Sequence, residues 1–234
     1  VRLQDLVDTS EAVSRVSGRR NKIERLSALL RRAEQDEVQI AVAFLSGSLR
    51  QGRIGAGYAL IAGARPDLAA PISTLELRDV DGAFSQIAAM SGPGSTAEKG
   101  RVLRDLLARA TRDEQDFLVR LLFGELRQGA LEGLVIEAVA HAAGIASALV
   151  RRAVMAAGDP GAVARLALSE GEAALSRFTV RIFHPVLPML ADSADGVDEA
   201  LGRLGEAALE FKLDGARVQV HRAGDEVRVY SRAL

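Results

Sequence analysis

"KIERLSALLRRAEQDEVQIAVAFLSGSLRQG", residues 22–52, aligns without a gap on "KGRVLRDLLARATRDEQDFLVRLLFGELRQG", residues 99–129. About half of the positions are identical, among them Lys22/Lys99, Leu26/Leu103, Arg32/Arg109, Asp36/Asp113, Gly47/Gly124 and the whole of Leu-Arg-Gln-Gly. In the first copy Ile23, Leu26, Leu29 and Leu30 recur at helical spacing, with Lys22, Arg25, Arg31 and Arg32 on the other side. Two copies are too few for a solenoid and suit a compact helical domain with pseudo-twofold symmetry. Each copy ends in the same kind of loop, "LRQGRIGAG" from 49 and "LRQGALEG" from 126. Arg50, Gln51, Gly52 and Arg53 in one, and Arg127, Gln128 and Gly129 in the other, offer guanidinium groups, an amide, and glycines whose bare backbone can approach a ligand closely. The same glycines also suit plain helix ends.

Residues 1 to about 170 read as helix. Thr111 stands three residues before Glu114, the spacing of a capping box. Asp159 followed by Pro160 reads as an N-cap and first helical residue. "MSGPGSTAEKG", 90–100, reads as a loop. The basic run from Arg15 to Arg32 is expected to be a solvated helix face. Around residue 171 the texture changes: "SRFTVRIFHPVLPMLA" carries Pro185 and Pro188 and reads as extended linker. "GVDEALGRLG" predicts a short helix. Period-2 alternation then predicts strands over "ALEFKLDG", "ARVQVHR" and "EVRVYSR", the last two joined at Ala223-Gly224-Asp225.

Composition narrows the chemistry. The 234 residues are 48% apolar and only 4% aromatic, with formal charge −1, so any polyanion-binding surface must be local. The absence of cysteine excludes disulfides, thiolate metal sites and Cys nucleophiles. His141 and His184 have no partner at metal-ligand spacing, so no metal site is expected from protein ligands. The longest apolar stretch, "LEGLVIEAVAHAAGIASALV", contains Glu132, Glu137 and His141, which a membrane span would avoid. A soluble cytoplasmic protein is expected. Its first residue is Val, which leads to the expectation of a missing initiator Met or an unusual start.

"EFKLDGARVQVH", 210–221, places one lysine between two acids, followed by a glycine and an arginine. Alone, Lys-x-Asp-Gly is an ordinary surface turn. With its flanks it resembles the nucleotidyl-attachment motif Lys-x-Asp-Gly-x-Arg of the covalent nucleotidyltransferases. Glu210, Gln219 and His221 match the version found in ATP-dependent DNA ligases. "PVLPMLA" resembles the opening of the ligase adenylation domain. "LVRLLFGELRQGALEGLVIEAVAHA" and "VRRAVMAAGDPGAVARLAL" resemble the helical DNA-binding domain that precedes it in replicative-type ligases.

The resemblance implies a mainly α chain: an all-helical pseudo-twofold DNA-binding domain over 1–175, then linker and the first part of an α+β adenylation domain over 176–234. It implies that Lys212 is the nucleophile toward ATP, that Glu210 lies near the adenine amino group, that Arg217 contacts the ribose or sugar-phosphate end, and that Arg232 reaches phosphate. Asp214 and Gly215 shape the turn, and His221 reads as a structural histidine. The cofactors implied are ATP and Mg²⁺, the ion held on the triphosphate. The partner implied is nicked duplex DNA, gripped by the two Arg-Gln-Gly loops of a monomer. The family's later motifs, including a C-terminal OB-fold, are expected beyond Leu234. Two other readings stay open here: a helical DNA-binding module without chemistry of its own, and an RNA ligase or capping-type nucleotidyltransferase.

Overall fold

Leu3, Leu6, Val7 and Val13 recur every three to four residues, and they turn one face of α1 (Leu3–Arg15) into the core. The computed structural model describes residues 1–126, 129–187, 193–211 and 214–231. After α1 come α2 (Arg19–Arg32), α3 (Glu37–Leu45), α4 (Tyr58–Ala64), α5 (Leu77–Ala89), α6 (Ser95–Ala108) and α7 (Arg112–Phe123). α8 (Gly129–Ala143), α9 (Ser147–Ala157), α10 (Pro160–Glu170), α11 (Glu172–Leu175) and α12 (Val197–Leu204) follow, and then the antiparallel strands β1 (Val218–Ala223) and β2 (Glu226–Ser231). The chain is therefore mainly helical, with a small sheet at its C-terminal side.

The repeat is realised as structure. α2 and α3 carry the first copy, and α6 and α7 the second. Both second helices end in the same way. Gly47 has φ 69° and Gly124 φ 72°, the left-handed conformation that costs a glycine nothing. The amide of Gly47 donates to the carbonyl of Phe44 at 3.0 Å, and that of Ser48 to Ala43 at 2.9 Å. The amide of Gly124 donates to Leu121 at 3.1 Å, and that of Glu125 to Arg120 at 2.9 Å. This is the Schellman pattern, written twice at aligned positions. The starts match too: the buried Glu114 accepts from the amide of Thr111 at 2.8 Å, and the buried Glu37 from the amide of Glu34 at 3.0 Å.

The copies also exchange neighbours. α2 of the first copy packs on α8, the helix that follows the second copy's loop, while α6 of the second copy packs on α4, the helix that follows the first copy's loop. A twofold relation between the copies produces this crosswise arrangement. The α2–α8 contact uses the basic run as a latch. Arg19 makes a two-pronged pair with Glu137 at 2.7 and 3.1 Å, which raises the pKa of its guanidinium through hydrogen bonding. Arg31 donates to the carbonyl of His141 at 2.9 Å, and the hydroxyl of the buried Ser27 meets Nδ1 of His141 at 2.9 Å. Lys22 and Arg25, on the same run, make no hydrogen bond or ion pair among the described residues.

The longest apolar stretch is two helices, α8 and α9, parted by Gly144 at φ 69°. No described helix is long and apolar enough to cross a membrane. α10 begins as the sequence predicts, with the Asp159 carboxylate accepting from the amide of Ala162 at 3.0 Å and Pro160 at the first helical position. It lies close on α3: a Cβ at Gly161 would stand 3.3 Å from the backbone of Gln39.

Among the described residues, every buried apolar side chain lies between Leu3 and Leu175. Beyond Leu175 the hairpin β1–β2 turns at Gly224, φ 61°, and grips the segment before it with one face only. Gln219 holds both backbone groups of Val186, donating to its carbonyl at 2.6 Å and accepting from its amide at 3.0 Å. His221 Nδ1 accepts from the amide of Phe183 at 2.9 Å, and the Tyr230 hydroxyl donates to the Phe183 carbonyl at 2.8 Å. Arg228 lies over the Phe183 ring, 4.5 Å from its centroid. These contacts hold Phe183 at φ 64°, where a non-glycine residue needs support.

Two sequence expectations are corrected. The loop predicted over 90–100 ends at Gly94, because α6 already starts at Ser95. The helix-breaking run Gly92-Pro93-Gly94 conceals that start, and Glu98 favours it from the first turn. The strand predicted over "ALEFKLDG" does not form at Ala208–Phe211 or at Asp214, and Phe211 is 96% exposed. Alternation gives a strand only where a neighbour supplies the ladder, and among the described residues β1 and β2 pair only with each other.

A chain ended at Leu175 is expected to give a helical circular dichroism spectrum and one cooperative thermal transition; a broad, non-cooperative melt would contradict a self-contained core. Replacing Gln219 by Leu should leave Val186 unpaired and speed amide exchange there by about tenfold, with helical amides unaffected. Unchanged exchange at Val186 would show that the hairpin is held by other contacts.

Candidate nucleic-acid interface

The Schellman turn at Gly47 delivers the chain into the first Arg-Gln-Gly loop, which α5 then holds. Arg50 donates to the Asp81 carboxylate at 2.8 Å. The Gln51 amide nitrogen meets the carboxylate of Asp81 at 2.9 Å, its carbonyl at 3.2 Å and the Ser85 hydroxyl at 2.8 Å. Gln51 Oε1 is buried and has no hydrogen-bond partner among the described residues. Gln51 is thus turned inward, and Arg50 is shared with an acid. Gly52, at φ 66°, and Arg53 are exposed, and Arg53 makes no hydrogen bond or ion pair among the described residues.

Past Arg53 the loop is pinned once more. The Ile54 side chain is buried, and its carbonyl accepts from Lys99 Nζ at 2.9 Å. Among the described residues the amides of 53–57 donate no hydrogen bond. Tyr58, which opens α4, stacks on Phe123 at the end of α7, with ring centroids 5.2 Å apart. The stack ties the exit of one loop to the approach of the other. Leu126 is buried, whereas Arg127 and Gln128 lie outside the described residues, and of Gly129 only its place at the start of α8 is described.

Of the nucleotidyl-transfer residues, Lys212 and Arg232 lie outside the described residues. Glu210 and Arg217 are exposed and make no hydrogen bond or ion pair among the described residues. Their chemistry fits a nucleotide: a carboxylate that can accept from an amino group, and a guanidinium that can meet a ribose or phosphate oxygen. His221 is a structural residue, engaged with the Phe183 amide and stacked edge-on against Tyr230 at 5.0 Å. Among the described residues no group of three or more His, Asp or Glu could hold a metal ion.

Sequence reading missed Asp81 and Ser85, which carry no motif. It noted Lys99 only as an identity between copies. That identity marks Lys99 but not its partner, since Lys22 makes no corresponding hydrogen bond among the described residues.

Comparison with known proteins gives two family matches, "DNA ligase N terminus" over residues 58–140 and "ATP dependent DNA ligase domain" over 188–234. Similar curated proteins include a probable DNA ligase of Anaeromyxobacter sp. (strain Fw109-5), 54% identical, which matches 100% of this chain over 45% of its own length. One from Sorangium cellulosum is 53% identical over 99% of this chain and 44% of its own, and one from Saccharopolyspora erythraea 47% identical over 100% and 46%. The chain spans a little under half the length of these relatives. With a ligase N-terminal helical region followed by the start of a ligase nucleotidyl-transfer domain, the chain belongs to the ATP-dependent DNA ligase family.

Proposed function

We propose that this chain is the DNA-gripping and nucleotide-accepting portion of an ATP-dependent DNA ligase, a cytoplasmic monomer that seals nicks in duplex DNA through a lysyl-AMP intermediate. Residues 1–175 are the helical DNA-binding unit, and 176–234 are linker and the first part of the adenylation unit. The observation that carries the DNA half is the first loop: an exposed Arg53 beside five backbone amides, none of which has a hydrogen-bond partner among the described residues. Such groups meet phosphates and minor-groove edges, which position a protein without reading sequence. Arg50 and Gly52 extend the same surface, Gln51 supports it from within, and Arg127, Gln128 and Gly129, aligned with them in sequence, are assigned the matching DNA-binding role.

The adenylation half rests on the match over 188–234 and on the residue types around Lys212. ATP supplies the adenylyl group, pyrophosphate leaves, and Mg²⁺ offsets the triphosphate charge. The Lys212 amine attacks only when neutral, and an ordinary lysine has a pKa of about 10.4. Arg217 and Arg232 are assigned the role of favouring the neutral amine and meeting the sugar-phosphate end, and Glu210 that of accepting from the adenine amino group. AMP then passes to the 5′-phosphate at the nick, and the 3′-hydroxyl displaces it.

The 234-residue chain is expected to bind two unrelated nicked duplexes with similar affinity, falling steeply as salt rises because neutralised phosphates release counterions. Changing Arg50 and Arg53 together to Ala should weaken binding about tenfold or more, and the chain alone should form no ligated product. Strict dependence on base sequence, or efficient sealing by this chain, would overturn the reading. In the full-length protein, labelled ATP with Mg²⁺ should mark Lys212, and Lys212→Arg should abolish the label, since a guanidinium is effectively never neutral. A label on another lysine would refute the assignment, and a label from GTP would favour a capping-type enzyme.

A further inference from the structure

We propose that Lys99 is a positioning residue for the DNA-facing loop: a side chain of the second copy that fixes the direction of the first copy's backbone amides. The proposal rests on the reading of residues 50–57 as a DNA interface. Lys99 lies on α6, 45 residues from its partner, and donates to the Ile54 carbonyl at 2.9 Å in a partly buried setting. The next residue, Gly55, has φ 68°, and a Cβ built on it would lie 2.7 Å from Lys99 Nζ. The left-handed backbone favours glycine here, and a Cβ would push the Lys99 ammonium aside.

The consequence follows from the planar trans peptide. Across the Ile54–Gly55 bond the amide N–H points opposite to the carbonyl. Holding the Ile54 carbonyl toward α6 therefore aims the Gly55 amide away from α6. That amide, like its neighbours from 53 to 57, has no other partner to set its direction among the described residues. Buried Ile54 fixes where the loop sits, and Lys99 fixes which way its peptide faces.

The crosswise packing of the copies is what brings Lys99 to the first loop. α6 packs on α4, directly after the first loop, as α2 packs on α8 after the second. The aligned lysine of α2, Lys22, lines a cavity of about 160 Å³ together with Leu126 and Leu134, which flank the second loop in sequence. Lys22 thus shares a cavity with Leu126, and Lys99 meets Ile54, each a residue of the other copy's half.

The test uses the 234-residue chain with Lys99→Met, Lys99→Arg and Arg53→Ala, a nicked duplex titrated across a salt series, and backbone relaxation of Gly55 in the free protein. Lys99→Met should weaken binding about tenfold with the salt slope kept, and should lower the Gly55 order parameter from about 0.85 toward 0.6. Lys99→Arg, which keeps a cationic donor, should recover most of the affinity and guards against a Met variant that fails to fold. Arg53→Ala should lower the salt slope by about 0.9. If Lys99→Met lowers the slope by about 0.9 while Gly55 stays ordered, Lys99 contacts phosphate itself and the proposal falls. If Arg53→Ala weakens binding but Lys99→Met does not, the interface stands and the positioning role falls. If Gly55 loosens yet neither variant weakens binding, the loop is not the interface, and both readings fall.

Discussion

An α-helix that must stop and hand its chain to an open loop needs partners for its last carbonyls, and here both copies meet that constraint with a left-handed glycine. At Gly47 and Gly124 the paired hydrogen bonds to the preceding turn close the helix end. They also fix the direction in which the next residues leave. Everything that gives the Arg-Gln-Gly loop its shape lies downstream of that turn: Asp81 catches Arg50 and Gln51, Ile54 enters the core, and Lys99 holds the peptide beyond it. A residue with a Cβ at either glycine would strain the turn and misdirect the loop together.

Small residues and paired charges do the remaining work of holding the helices. The chain is poor in aromatics, so close backbone approach replaces bulky side chains, as at Gly161 against Gln39. The buried Glu37 and Glu114 stand in an apolar interior, where a bare carboxylate is a liability. Each accepts a backbone amide at a helix start, where the helix dipole also favours a negative charge. Replacing one by an apolar residue would leave that amide unpaired, which costs about 1–3 kcal/mol.

The legible parts of this fold are those written locally. Thr111 with Glu114, Asp159 with Pro160, and the turn at Gly224 each act within a few residues, so their spacing alone predicts the turn or cap that forms. The mainly helical class follows from the repeat for the same reason. Asp81 and Lys99 act on a loop 30 and 45 residues away, and no short pattern marks such partners. Gln51 illustrates the cost of reading a residue type without its neighbours: an amide in a glycine loop suggests a ligand contact, yet Asp81 and Ser85 claim it. The alternation around Lys212 misleads for a different reason. A period of two shows that a segment could be a strand, while strand formation is decided by a neighbour that the pattern does not contain.

The hairpin has a colloidal consequence. One face is occupied by the 183–186 segment, but Val218, Val220, Val227 and Val229 share the other face and are each more than half exposed. Both outer edges of the ribbon are also bare among the described residues. A valine-covered ribbon with open edges is a template for strand addition by a second molecule. Arg222, paired with Val227 on that face, opposes such stacking, while Glu226 and Arg228 form an ion pair at 2.5 Å. At low ionic strength that repulsion keeps the chains apart. As salt screens that charge, an added strand meets less resistance at this ribbon.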